Sequence, residues 1–197
     1  MQKSGDYETA IETFKKQLTV LVKRLNTISF SYTQQLEVSK ENVDLIKELI
    51  SIRIDMARSF SQLAKSYELM SLQAKNPFYL ETEAATRSDE LLAESFTYLN
   101  EYYKECEYLY ELFGVPLLNQ IEMLKRAKQK KYRETFNKQD EDEQEEDEDD
   151  ENVNDNIQSL IRELTEYIFI DYDNSLAKLS HFYAVYDEND QPKQLEV

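Results

Sequence analysis

Apolar residues recur along this chain at alternating spacings of four and three, the repeat of a helix that keeps one seam against a partner. The first seam reads Tyr7, Ile11, Phe14, Leu18, Leu21, Leu25, Ile28 and Tyr32. It pauses over the polar stretch Glu37 to Asn42, a place for a break or a bend. It then resumes with Val43, Ile46, Ile50, Ile54, Ala57, Phe60, Ala64 and Tyr67. Residues 6–76 hold neither glycine nor proline, and a helix of that length would span about 105 Å. The expectation is a first helix over about 7–74.

Asn76-Pro77 reads as an N-cap followed by proline in the first turn, so a second helix is expected from about 77 to 137. Its seam runs Ala84, Ser88, Leu91, Ser95, Tyr98, Tyr102, Cys106, Leu109 and Phe113. Gly114-Val115-Pro116 interrupts it, yet Leu117, Ile121 and Leu124 carry the apolar line onward, which predicts a kink rather than a stop. Asp140 to Asn152 has no apolar residue, and a disordered, self-repelling loop is expected over 139–153. A third helix, about 154–186, carries Ile157, Ile161, Leu164, Ile168, Tyr172, Leu176, Leu179, Phe182 and Tyr186, followed by a frayed tail over 187–197. The fold class is all-α: one elongated, antiparallel three-helix coiled coil with its second helix kinked at Gly114–Pro116.

Charge changes the picture at one place. Lys125, Arg126, Lys128, Lys130, Lys131, Arg133 and Lys138 face a single acidic residue between 125 and 138, and eleven of the twelve positions 140–151 are Asp or Glu. The chain's formal charge is -17, and without the acidic run about -6 remains. Nucleic acid is excluded as a general partner, since affinity for it rests on neutralising phosphates. On a helical wheel the basic residues spread around most of the circumference, and Leu124, Tyr132 and Phe136 keep a narrow apolar seam. Such a helix projects past its neighbours and sets its cations at the tip of a rod. The same residues also read as a solvated helix end and loop that complement the macrodipoles. A sharper expectation is that the acidic loop folds back over the basic tip and weakens its hold on anionic surfaces.

Little else in the sequence carries chemistry. Two glycines cannot furnish a dinucleotide loop or a P-loop. One histidine, His181, excludes HExxH zinc sites and paired Glu-x-x-His di-iron sites. The acidic run lacks an EF-hand's glycine and spacing. Cys106 lies between Glu105 and Glu107, which would raise its pKa, so it reads as a core or rim residue and not a nucleophile. The fourteen tyrosines fall mostly on or beside seams. No catalytic residue, metal site or cofactor is expected. With no signal-peptide core and no membrane-length apolar stretch, the expectation is a cytoplasmic protein, peripheral on membranes.

Three long helices, a kinked second one and a basic end before the second loop resemble a BAR domain of the sorting-nexin type. The local likeness lies in Pro116 to Tyr132, PLLNQIEMLKRAKQKKY, and in Leu99-Asn100-Glu101-Tyr102-Tyr103. The resemblance spans most of the chain as a pattern, on short motifs. It implies a crescent dimer, a homodimer or a heterodimer with a related BAR protein, whose basic residues touch curved endosomal membrane. Lys125, Arg126, Lys128, Lys130, Lys131 and Arg133 are the positions that would meet anionic lipids. Against the family pattern, no PX-like segment is expected within residues 1–197, the third helix is short and the acidic loop is an unusual insertion. Two other readings stand beside it: a coiled-coil adaptor or tether without lipid contact, and an acidic protein resembling histone chaperones.

Overall fold

The computed structural model describes residues 5–28, 38–39, 41–74, 81–137 and 148–186. Among them every regular element is helical: α1 (Gly5–Thr27), α2 (Val43–Ala74), α3 (Glu81–Leu109), a π turn (Tyr110–Gly114), α4 (Val115–Asn137) and α5 (Glu148–Tyr186). The expected loop residues 139–147, the tail 187–197 and the Asn76-Pro77 corner lie outside the described residues, as does Lys138.

The single first helix expected over 7–74 is instead two helices folded into an antiparallel hairpin. Arg24 of α1 reaches Glu48 of α2 at 2.8 Å, and Lys15 reaches the Tyr67 hydroxyl at 2.9 Å. The reason is local burial. Leu18, Leu21, Leu25 and Ile28 pack against Ile52, Met56 and Phe60 of the same chain, so the stripe of α1 is covered without a foreign helix. Asn42 sets the start of α2: its carbonyl accepts the Ile46 N–H at 3.0 Å, and its Oδ1 accepts the Ser39 N–H at 2.8 Å.

α2 and α3 form a second antiparallel hairpin whose crossing is lined by small residues. The Ser71 and Ser88 hydroxyls meet at 2.8 Å, and Ser95 donates to the Ala64 carbonyl at 2.8 Å. These buried hydroxyls are satisfied by each other and by backbone carbonyls of the facing helix, and their small side chains let the two helices approach closely. α5 runs antiparallel to α3 and α4, stacking Tyr172 on Tyr110 with centroids 4.5 Å apart.

Two main core clusters result. One joins Ile46, Leu49, Ile50 and Ile54 of α2 to Leu109, Phe113, Leu117 and Ile121, and to Ile161, Leu164 and Ile168 of α5. The other gathers Ala57, Ala64, Leu99, Tyr102, Cys106 and Leu179.

The discontinuity expected at Gly114-Val115-Pro116 takes the form of the π turn just before it. The Val115 N–H donates to the Tyr110 carbonyl, five residues back, and helix continues on both sides. Gly114 is there because α5 comes close: a Cβ on it would stand 3.1 Å from Ile168 Cγ2. The third helix begins at Glu148, earlier than the expected 154. Its first turns therefore include acidic positions, which the positive end of the helix dipole favours.

Candidate anion-binding surface

One end of the bundle is built by α4 and the first turns of α5. The segment before α2 reaches α4 at Gln120, where the Val38 N–H donates to Gln120 Oε1 at 2.9 Å and Gln120 Nε2 donates to the Val38 carbonyl at 2.8 Å. Beyond that clasp α4 continues to Asn137, about 25 Å further at the helical rise. Lys125, Arg126, Lys128, Lys130, Lys131 and Arg133 all lie on this stretch, and all six are exposed.

The structure sorts these cations into two groups. Lys125, Lys128 and Arg133 line one cleft of about 400 Å³ together with Gln129, Tyr132 and, from α5, Gln158. Arg126, Lys130 and Lys131 lie outside it. The cleft follows from spacing: positions 125, 128, 129, 132 and 133 repeat at three and four residues and so share one side of α4, the side that α5 passes. Lys125 also holds Glu122 at 2.9 Å. Through that hydrogen bond and its charge, the ammonium keeps the Glu122 carboxyl below the ordinary range.

Tyr132 was expected on an apolar seam, but it is 74% exposed. Its phenol lines the cleft instead of packing in the core, because the helix has already left the shelter of α2 at this level. Met123, 70% exposed, is a second large apolar side chain among the cations. Gln129 and Gln158 carry no signal in the sequence pattern. Their part depends on where α5 lies, and only tertiary structure fixes that.

A second polar group sits in the middle of the bundle and is built for holding helices together. Arg53 of α2 pairs with Glu105 of α3 at 2.6 Å and lies 3.8 Å over the Tyr108 ring. Asp171 of α5 stands 3.5 Å from Arg58, close enough for charge attraction, although its buried Oδ2 has no hydrogen-bond partner. Burial pushes the Asp171 carboxyl up, against the opposing pull of Arg58 and Lys178. Burial, and then the Asp171 charge, push the Cys106 thiol up to about 12. That thiol is neutral at ordinary pH, and a neutral thiol is a poor nucleophile.

His181 is on the surface of α5. Among the described residues no three His, Cys, Asp or Glu side chains gather as a metal site requires, and no helix is long and apolar enough to cross a membrane. No protein-family model, no curated protein and no solved structure matches this chain.

Proposed function

We propose that this protein is a membrane-associated, BAR-like helical dimer that senses or scaffolds curved anionic membrane in endosomal traffic. The observation that supports the membrane contact is the end of α4: six exposed cations on a helix that outruns α2, with exposed Met123 and Tyr132 among them. Cations with interspersed amphipathic side chains suit a headgroup layer, where the charges stay wet and the apolar groups enter the interface. Each basic side chain near an anionic surface contributes about 1 kcal/mol, and a dimer that presents two such ends gains further by avidity. The dimer and the endosomal setting rest on the sorting-nexin resemblance.

The test is sedimentation with anionic liposomes after charge reversal, Lys125→Glu with Lys128→Glu and Lys131→Glu. Binding is expected to collapse, while circular dichroism stays unchanged because all three positions are exposed. Small-angle scattering addresses the dimer, and a compact monomer would refute the crescent.

The runner-up reading is an adaptor or tether that docks partner helices without lipid. It draws on exposed apolar residues away from the cations, such as Val20, Leu72, Ile170 and Val185. Under that reading the charge-reversed protein keeps its partners and the wild type ignores liposomes.

A further inference from the structure

The α1/α2 hairpin keeps a register that a simple fold-back does not need. Leu18, Leu21, Leu25 and Ile28 of α1 pack with Met56 and Phe60 of α2. Leu18 to Phe60, Leu21 to Met56 and Ile28 to Met56 are separations of 42, 35 and 28 residues, all whole multiples of seven. Ile52, which joins them on α2, is one residue out of step. Two helices on a free connection can meet in any relative phase, whereas one supercoiled helix returns the same side to its partner every seven residues. The two faces that close on each other in the hairpin would therefore share one side of a continuous helix. Tyr32, Gln35, Ser39 and Asn42 occupy the intervening positions of that repeat, and residues 6–76 hold no glycine or proline to forbid it.

A continuous helix with both halves of the contact on one side cannot cover itself. It needs a second copy, and the sense of pairing is already set, because α1 and α2 meet antiparallel. In such a pair α1 of each copy lies on α2 of the other. The Arg24–Glu48 ion pair and the Lys15–Tyr67 hydrogen bond re-form between copies, with no contact of a new kind. Exchange of an identical element is a low-cost route to a dimer for this reason.

What favours the fold-back is a latch at its corner. Gln120 of α4 accepts from the Val38 N–H at 2.9 Å and donates to the Val38 carbonyl at 2.8 Å, while Asn42 Oδ1 accepts the Ser39 N–H at 2.8 Å. Val38 is itself buried in the larger core cluster. A helix through this corner would turn the same backbone groups into its own ladder and forfeit all three bonds. The arm is otherwise lightly held: its ion pair is exposed on both sides and worth little, and Leu18, Leu25 and Ile28 are only partly buried.

We infer that α1 is an exchangeable arm, which two copies of this chain swap by opening the Val38–Asn42 corner into continuous helix, with Gln120 and Asn42 setting the balance between hairpin and swapped pair. The inference gives the dimer of the reading above a specific interface; it rests on that second copy and not on lipid contact. Closure within one chain competes through an effective concentration of about 1 mM, so the swapped share grows with protein concentration.

The experiment mixes Arg24→Cys chains with Glu48→Cys chains, refolds them together from urea, and treats them with a short bismaleimide at about 10 µM to about 1 mM protein. Positions 24 and 48 are then linked only across copies, and a chain carrying both changes reports the hairpin. Cys106, 1% exposed, does not compete for the reagent. Links between copies should appear and rise with concentration. Gln120→Ala, which opens the clasp, and Asn42→Leu, which removes a cap and adds an apolar residue to the repeat, should each raise their share about tenfold, since both chains of a pair lose the latch bond. Glu41→Pro should abolish them, because proline is tolerated ahead of α2 but breaks a helix running through the corner.

Small-angle scattering on the same samples separates this inference from the reading above. A dimer by scattering whose 24–48 links stay within one chain, in the wild type and in both latch variants, overturns the exchange and leaves the dimer standing. A monomer throughout overturns both. Links between copies that survive Glu41→Pro overturn the continuous helix as the route of exchange.

Discussion

Replacing Arg53 with methionine tests how the middle of the bundle is held. The guanidinium ties α2 to α3 through Glu105 at 2.6 Å, with side chains only 17% and 14% exposed, and rests 3.8 Å over Tyr108. Methionine retains most of the stem but leaves Glu105 desolvated without a cation. Breaking a fully buried pair from one side costs about 3–5 kcal/mol. The residual access of water lowers this, and loss of the cation–π contact adds about 1 kcal/mol, for an expected loss of about 2–4 kcal/mol.

The double change Arg53→Met with Glu105→Leu removes the orphaned carboxylate, so it should recover about half of that loss. Arg53 Nε is buried without a hydrogen-bond partner, so the native pair already carries an unmet donor that the double variant lacks. Urea unfolding of wild type, both single variants and the double variant, followed by helical circular dichroism, gives the coupling energy directly. A coupling below about 0.5 kcal/mol, or a double variant less stable than Arg53→Met alone, would show that the pair does not hold α2 to α3.

Three further outcomes are expected. Gly114→Val should destabilise by about 1–3 kcal/mol in the same assay, because a Cβ meets buried Ile168 at 3.1 Å and overpacking of a tight contact costs that much; unchanged stability would mean that α5 yields easily. Cys106, buried and with its thiol pushed up to about 12, should resist alkylation near pH 8 until the protein unfolds, and fast labelling of the folded chain would contradict its burial. Because that folded pKa is raised above the unfolded value of about 8.5, its contribution to stability is complete below about pH 8.5 and fades as pH rises towards 12. Burial also raises Tyr102, so the two together predict a marked loss of denaturation midpoint across that alkaline window. Finally, replacing the acidic residues of 140–147 by their amides should strengthen liposome sedimentation if the acidic run competes for the cations, and unchanged sedimentation would identify it as an inert connection; 148–151 are left alone because α5 begins at Glu148.

Seam spacing made much of the core legible: Ile46, Ile50, Ile54, Ala57, Leu109, Phe113, Leu117, Ile121, Ile161, Leu164 and Ile168 are buried at positions where the repeat places them. The fold-back of α1 was less legible. A seam states that a helix needs a partner without saying whether the partner lies elsewhere in the same chain. The hint was the polar stretch ending in Asn42, whose capping role appears only once Ser39 turns back onto it. At the candidate site, exposure of the cations followed from their density. Which three of them converge did not, because Gln158 closes the cleft from a helix more than twenty residues further along the chain.

The π turn at Tyr110–Gly114 has a consequence for the far end of the molecule. From Leu109 the buried positions step to Phe113, Leu117 and Ile121, three intervals of four in succession, which is one residue more than an even alternation of threes and fours. The wider turn absorbs that surplus and resets the phase of everything after it. Removing a single residue from this turn would rotate α4 by about 100° relative to α3, swinging Lys125, Lys128 and Arg133 away from Gln158. The body of the bundle and the orientation of its charged end are thus geared through five residues, and a change there re-aims the cations without touching a single one.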